Sequence, residues 1–139
     1  MGAEKREYPR LEQEFPVRFD VVDTSLTRPA VGAKREGAVK NISGGGLYFI
    51  SPRLSKWTIK KLLAHCYNLS IEFYLPDFQN KINILGEVRW EKGGIKWWSV
   101  FPKKWELGVK FIYVKPEDKD AILKYVINKQ IESQLMEAS

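Results

Sequence analysis

A single cysteine, Cys66, and a single histidine, His65, set the first limits on what this chain does. One cysteine permits no internal disulfide, and one histidine leaves no zinc-ligand set. The two are sequence neighbours, so on a helix they point in different directions. Neither a metal site nor a Cys/His nucleophile pair is implied. Aspartates and glutamates are scattered among strand faces and loops, with no pair that implies a general acid beside a general base. There is no charged start followed by an apolar run of the kind a secretory leader has. No apolar stretch approaches the roughly 18 residues of a membrane span. Internal repeats and low-complexity segments are also lacking. These absences describe a non-catalytic protein without a metal centre, suited to a reducing, cytoplasmic setting.

What is present is enough for one domain. Of 139 residues, 44% are hydrophobic and 13% aromatic, so a core can be buried and disorder of the whole chain is excluded. The formal net charge is +6, which favours anionic partners: nucleic acid, a nucleotide, acidic lipid or an acidic protein surface.

Period-two alternation dominates the first 115 residues. In FPVRFDV, Phe15, Val17, Phe19 and Val21 share one face; in LSIEFYL, Leu69, Ile71, Phe73 and Leu75 do. INILGEVRW puts Ile82, Ile84, Gly86, Val88 and Trp90 on one side, and LGVKFIY does the same with Leu107, Val109, Phe111 and Tyr113. Alternation of this kind marks strands with one buried face. Turn-forming stretches such as TRPAVG, SGGG, PDFQN and KGG separate them, as in an antiparallel barrel or sandwich. Gly86 within a strand marks a bulge or corner.

The tail reads differently. Pro116, Glu117 and Asp118 form a helix N-terminus, and Leu123, Ile127, Ile131 and Leu135 recur every fourth residue. The spacing predicts a C-terminal helix whose stripe packs on the barrel, with a partner helix as the alternative. A second helix is expected from Ser55, as cap, to Tyr67, with Ile59, Leu62, Leu63, Cys66 and Tyr67 on one face.

Two short stretches fit neither core nor turn alone. Ahead of the first strand, REYPR carries Arg6 and Arg10. Taken singly they are solvated charges, yet Pro9 between them limits helix formation. Guanidinium groups suit phosphate oxygens and the O6/N7 edge of guanine. Later, NISGGG sets Asn41 and Ser43 beside Gly44, Gly45 and Gly46. It serves as a hairpin turn, and its three glycines also leave backbone amides and short polar groups open to a flat ligand. It is not a Walker loop, because no Lys-Ser or Lys-Thr follows.

In this order, R-x-x-x-R and then N-x-S-x-x-G ahead of further strands and a terminal helix, the chain resembles the PilZ domain family. FPVRF is similar to that family's first strand, and GEVRW…ELGVKFIYVKPEDKDAI to its last two strands and the lead into its helix. The resemblance implies an all-β core: a six-stranded antiparallel β-barrel with a C-terminal α-helix and a flexible N-terminal arm. Residues 1–13 would be a ligand-gripping arm and 14–115 the barrel, with insertions near 55–67 and 93–104; 116–139 would be the helix. It implies a receptor for the bacterial second messenger cyclic di-GMP, with no other cofactor, a downstream protein partner and no DNA or RNA. A homodimer is compatible with it. Arg6 and Arg10 would grip phosphates and guanine edges, Asn41 and Ser43 would hydrogen-bond the other side of the ligand, and Gly46 would hold the turn open. Gly44 and Gly45 complete the site. Lys5 occupies a position that bears on whether one or two ligand molecules are held.

Two other function classes remain as alternatives: a basic nucleic-acid-binding barrel, and a scaffold barrel acting through a partner without ligand. Against the first, the aromatics do not recur on one strand face as a stacking platform. The second insertion, GGIKWWSVFPKK, mixes Trp97 and Trp98 with Lys96, Lys103 and Lys104. It reads as an extended hairpin folded back on the barrel, with a docking patch as the alternative.

Overall fold

The structure is a computed structural model that describes residues 15–25, 34–52, 54–76, 79–93 and 104–138. Its framework follows the alternation. In β1 (Phe15–Asp23), Phe15, Val17, Phe19 and Val21 are buried while Pro16 and Arg18 face solvent. β2 (Arg35–Ile42), β3 (Gly46–Ser51), β4 (Tyr67–Tyr74), β5 (Lys81–Gly93) and β6 (Trp105–Val114) close with it into an antiparallel barrel of order β1-β2-β3-β6-β5-β4. Each strand pairs with two neighbours, so the barrel has no free edge. Its interior is filled by inward rows that include Phe19, Phe49, Leu69, Ile71, Ile82 and Leu107, all buried. The Phe19 and Phe49 rings meet edge-on at 5.2 Å, the arrangement that ring quadrupoles favour.

Two helices complete the fold. α1 (Lys56–Leu63) is shorter than the 55–67 expectation. Ser55 caps it, accepting a hydrogen bond at 3.0 Å from the Thr58 amide. Its far end is closed by His65, which takes φ 64°. There the His65 amide donates to the Leu62 carbonyl and the Cys66 amide to that of Lys61. This pair of bonds ends a helix, and Tyr67 then opens β4 instead of continuing the turn. Ile59 and Leu62 anchor α1, and the Trp105 indole donates to the Leu54 carbonyl just ahead of it at 3.0 Å.

α2 (Pro116–Ala138) corrects the reading of the apolar stripe. The side chains it buries are those of Asp118, Ile122, Tyr125 and Ser133, and the Tyr125 ring meets Phe15 edge-on at 6.2 Å. Leu123, Ile127 and Ile131 are instead 38%, 51% and 49% exposed. At about 100° per residue the two rows lie on opposite sides of the helix. Beyond Leu123, which touches the β2–β3 turn at Gly44, the stripe with the cleaner spacing therefore does not pack on the barrel, because Ile122 and Tyr125 take that place. In dilute solution, Ile122→Ala should lower unfolding stability by about 2–5 kcal/mol, whereas Ile127→Ala should change it by no more than about 0.5 kcal/mol. Urea denaturation followed by circular dichroism distinguishes the two.

Candidate functional site

Three breaks in strand register decide which side chains leave the core. Between Val39 and Asn41, β2 carries one residue more than β3, so Val39 pairs with Phe49 and Asn41 with Tyr48. Strict alternation would put Asn41 on the inward face with Val39. The bulge at Lys40 turns it out, and Asn41 is exposed while Val39 is fully buried. A second bulge, at Arg89 of β5, does the same for Trp90: Val88 pairs with Val109 and is buried, Trp90 pairs with Gly108 and is 45% exposed. Trp90 was expected on the inward face and is not there. The third break falls at Gly86, where a bulge or corner was expected; the extra residue is Ile112, on β6. Beyond it Tyr113 is also turned outward, 59% exposed. Bulges bend a strand and re-aim side chains, and they gather near functional sites.

The first two bulges produce one row across four strands. Asn41 pairs with Tyr48, Tyr48 with Gly108, and Gly108 with Trp90. Gly108 makes the row work, since a Cβ there would lie inside the Trp90 ring. The indole therefore lies flat over bare backbone and reaches Tyr48, ring centroids 5.4 Å apart. Tyr48 is fixed in turn by its hydroxyl, which donates to Glu106 at 2.7 Å. The result is an aromatic floor on the outer wall, beside the β2–β3 turn.

That turn is held from within and from β6. The Ser43 amide donates to the Gly46 carbonyl at 2.9 Å, and the Phe111 amide to that of Gly45 at 2.9 Å. The Ser43 hydroxyl lies 3.3 Å from the Gly46 carbonyl and 3.4 Å from the Gly45 amide. The glycines supply space here, since none of the three has the positive φ that would require glycine. A Cβ on Gly46 would strike the Val109 carbonyl of the paired strand, and one on Gly44 would come within 2.8 Å of Leu123 on α2; Gly45 has open space.

Floor and turn together line a shallow groove of about 330 Å³. Asn41, Ser43, Gly45 and Gly46 lie along it; Gly44 turns towards Leu123 instead. The groove also takes in Tyr48, Trp90, Arg89 and Lys110, which reading the sequence did not single out. Their signal was the glycine at 108, interior to a strand, which marks a close approach by a neighbour. Arg89 is half exposed and pairs with Glu87 at 2.8 Å; Lys110 is exposed. Elsewhere, Lys34 hydrogen-bonds Glu72 at 2.9 Å and, with Lys81 and Arg18, holds that carboxyl below its usual range. This is an ion cluster tying β4 to the segment before β2.

Lys5, Arg6 and Arg10 lie outside the described residues, as does the stretch 94–103 with Trp97 and Trp98. Where the arm joins the barrel is nevertheless fixed: Phe15, the first residue of β1, pairs with Val39, two residues before Asn41. Among the described residues, no three His, Cys, Asp or Glu side chains gather to hold a metal ion, and no helix is long and apolar enough to cross a membrane.

The described residues thus form a closed barrel with an aromatic-floored polar groove beside a hairpin turn. The PilZ domain profile matches residues 4–128, and the chain belongs to the PilZ domain family, a family of cyclic di-GMP receptor domains. A solved structure of similar fold is the Bacillus subtilis inhibitor of motility, MotI/DgrA, at 18% identity and a TM-score of 0.56. The likeness covers 93% of this chain and 52% of that one, so the chain spans about half the length of that protein. No curated protein sequence matches.

The glycines give a direct test of how the turn is built. Gly46→Ala should cost about 1–3 kcal/mol or more, because backbone stands where its methyl must go. Gly45→Ala should stay within about 1 kcal/mol of the unsubstituted protein. Denaturant unfolding of the two variants checks this.

Proposed function

We propose that this chain is a cyclic di-GMP receptor that closes its N-terminal arm over the hairpin groove and signals through the surface so changed. The register of β1 on β2 carries the reading. Phe15 sits beside Val39, at the end of the barrel where Asn41, Ser43 and the glycine turn follow. Arg10 is five residues upstream of Phe15, and an extended chain covers at most about 3.3–3.6 Å per residue, a reach of roughly 17 Å. Arg10 and the turn are thus tethered to one neighbourhood.

The chemistry of the two parts is complementary. Arg6 and Arg10 offer planar forks for phosphate oxygens and guanine O6/N7 edges. Asn41 and Ser43 offer short donors and acceptors to the ligand's other side. The Trp90–Tyr48 floor offers an exposed π-face to a guanine ring. Arg89 and Lys110 add positive charge at the rim for the two phosphodiesters, and Lys5 adds a point charge from the arm. An arm rich in charge and poor in core residues gains order when a ligand neutralises it. The output is then an altered protein-docking surface.

Calorimetric titration with cyclic di-GMP tests the assignment. Arg10→Ala and Ser43→Ala should each weaken binding about tenfold or more, from loss of a charge-assisted or ligand hydrogen bond worth roughly 1.5–3 kcal/mol. Trp90→Ala should cost about 1–3 kcal/mol in stacking. Equal affinities across all four proteins would remove the reading. So would single-stranded oligonucleotides that compete equally well and lose affinity steeply with salt, since that is nucleic-acid behaviour.

A further inference from the structure

We infer that α2 pairs with α2 of a second copy of this chain, antiparallel, through the outward row Leu123, Ile127 and Ile131, continued by Leu135. The helix is apolar on two opposite sides. Ile122 and Tyr125 face the barrel, and the outward row is 38–65% exposed along its length. Large side chains exposed one after another in a row mark an interaction surface, and an apolar helix stripe is most readily covered by another helix.

The spacing selects the occupant. In an antiparallel pair with its two-fold axis at the level of Lys129, Ile127 meets Ile131 of the second copy, and Leu123 meets Leu135. The row is its own complement, as a two-fold interface requires. The same axis brings like flanks together. Lys124 of one copy then lies within about half a turn, roughly 3 Å along the axis, of Glu132 of the other. Lys124 and Glu132 are both exposed; Glu132, already 3.3 Å from Lys129 of its own helix, takes Lys124 of the other copy as a second cation, which makes two symmetry-related charge pairs. On the opposite flank lie Gln130 and Gln134, so no like charges are opposed there. The side of α2 that carries the barrel points away from the row, and the two barrels sit outside the helix pair. A chain of net charge +6 repels its own copies, yet Lys124 is the lone cation bordering the row between Leu123 and Leu135, and it is matched.

Sedimentation velocity of the full chain without any dinucleotide tests this independently of the ligand assignment. Over a dilution series the unsubstituted protein should pass from dimer to monomer. Ile127→Glu and Ile131→Glu should each weaken association by roughly tenfold or more, through burial of an unpaired carboxylate, while melting as the unsubstituted protein does at a dilution where both are monomeric. Lys124→Glu should weaken it as well, and adding Glu132→Lys should restore it. In a Cys66→Ser background, Ile127→Cys should form disulfides with Ile131→Cys in preference to like pairs. A protein that stays monomeric throughout overturns the inference, as does a dimer that survives Ile127→Glu. Preferential like-with-like cross-linking overturns the antiparallel arrangement.

Discussion

Everything outside the core of this protein depends on the way six short strands are made to close. A barrel of strict period-two strands would send Val39 and Asn41 inward together, and Val88 and Trp90 likewise. Closure instead inserts an extra residue at Lys40 and another at Arg89. Each bulge ends the inward row one step after a buried valine and starts an outward one. The local twist that a bulge adds helps a small barrel bend, so the device that shuts the fold also deals a polar and an aromatic residue onto the outer wall. Gly108, between them in the register, then lets the indole lie flat against the sheet.

The same logic explains how much could be read from the residues alone. Strand rows such as Phe15–Val21 and Leu69–Leu75 were legible because they run without a bulge and bury one face from end to end. The turn residues Asn41, Ser43 and the glycines were legible as local chemistry. Tyr48, Trp90, Arg89 and Lys110 were not, because they sit on three different strands and become neighbours only through the register. Scanning along single strands for a stacking platform misses one assembled across them. The stripe of α2 was seen, and its direction was misread: spacing says that a row is apolar, while competition with Ile122 and Tyr125 decides which row faces inward. The 55–67 helix was overrun by four residues because the left-handed turn at His65 carries no glycine to announce it.

The groove has the character of a receptor site. Its polar atoms are amides, an amide side chain, a hydroxyl and the Arg89 and Lys110 cations, and its floor is an aromatic surface held by Gly108 below and by Tyr48, itself fixed by Glu106, alongside. Such a surface suits a flat, anionic molecule. It is also shallow, with part of its wall supplied by a turn. Under the proposed function, affinity for a dinucleotide would need a second surface from the other side, and β1 begins at Phe15, paired with Val39 two residues before Asn41.

That contact surface and the groove are joined through one residue. Leu123 fills the space beside Gly44, on the back of the hairpin turn, and the same side chain opens the outward row of α2. A displacement of the turn would change what Leu123, 38% exposed, rests against on its inner side. A ligand that prefers one position of the turn would bias how Leu123 is presented, and by linkage a partner that captures Leu123 would bias the turn for or against the ligand by the same factor. The coupling needs no rearrangement of the barrel, whose closed hydrogen-bond ladders resist one. It would need only that the turn and the helix share the Leu123 contact.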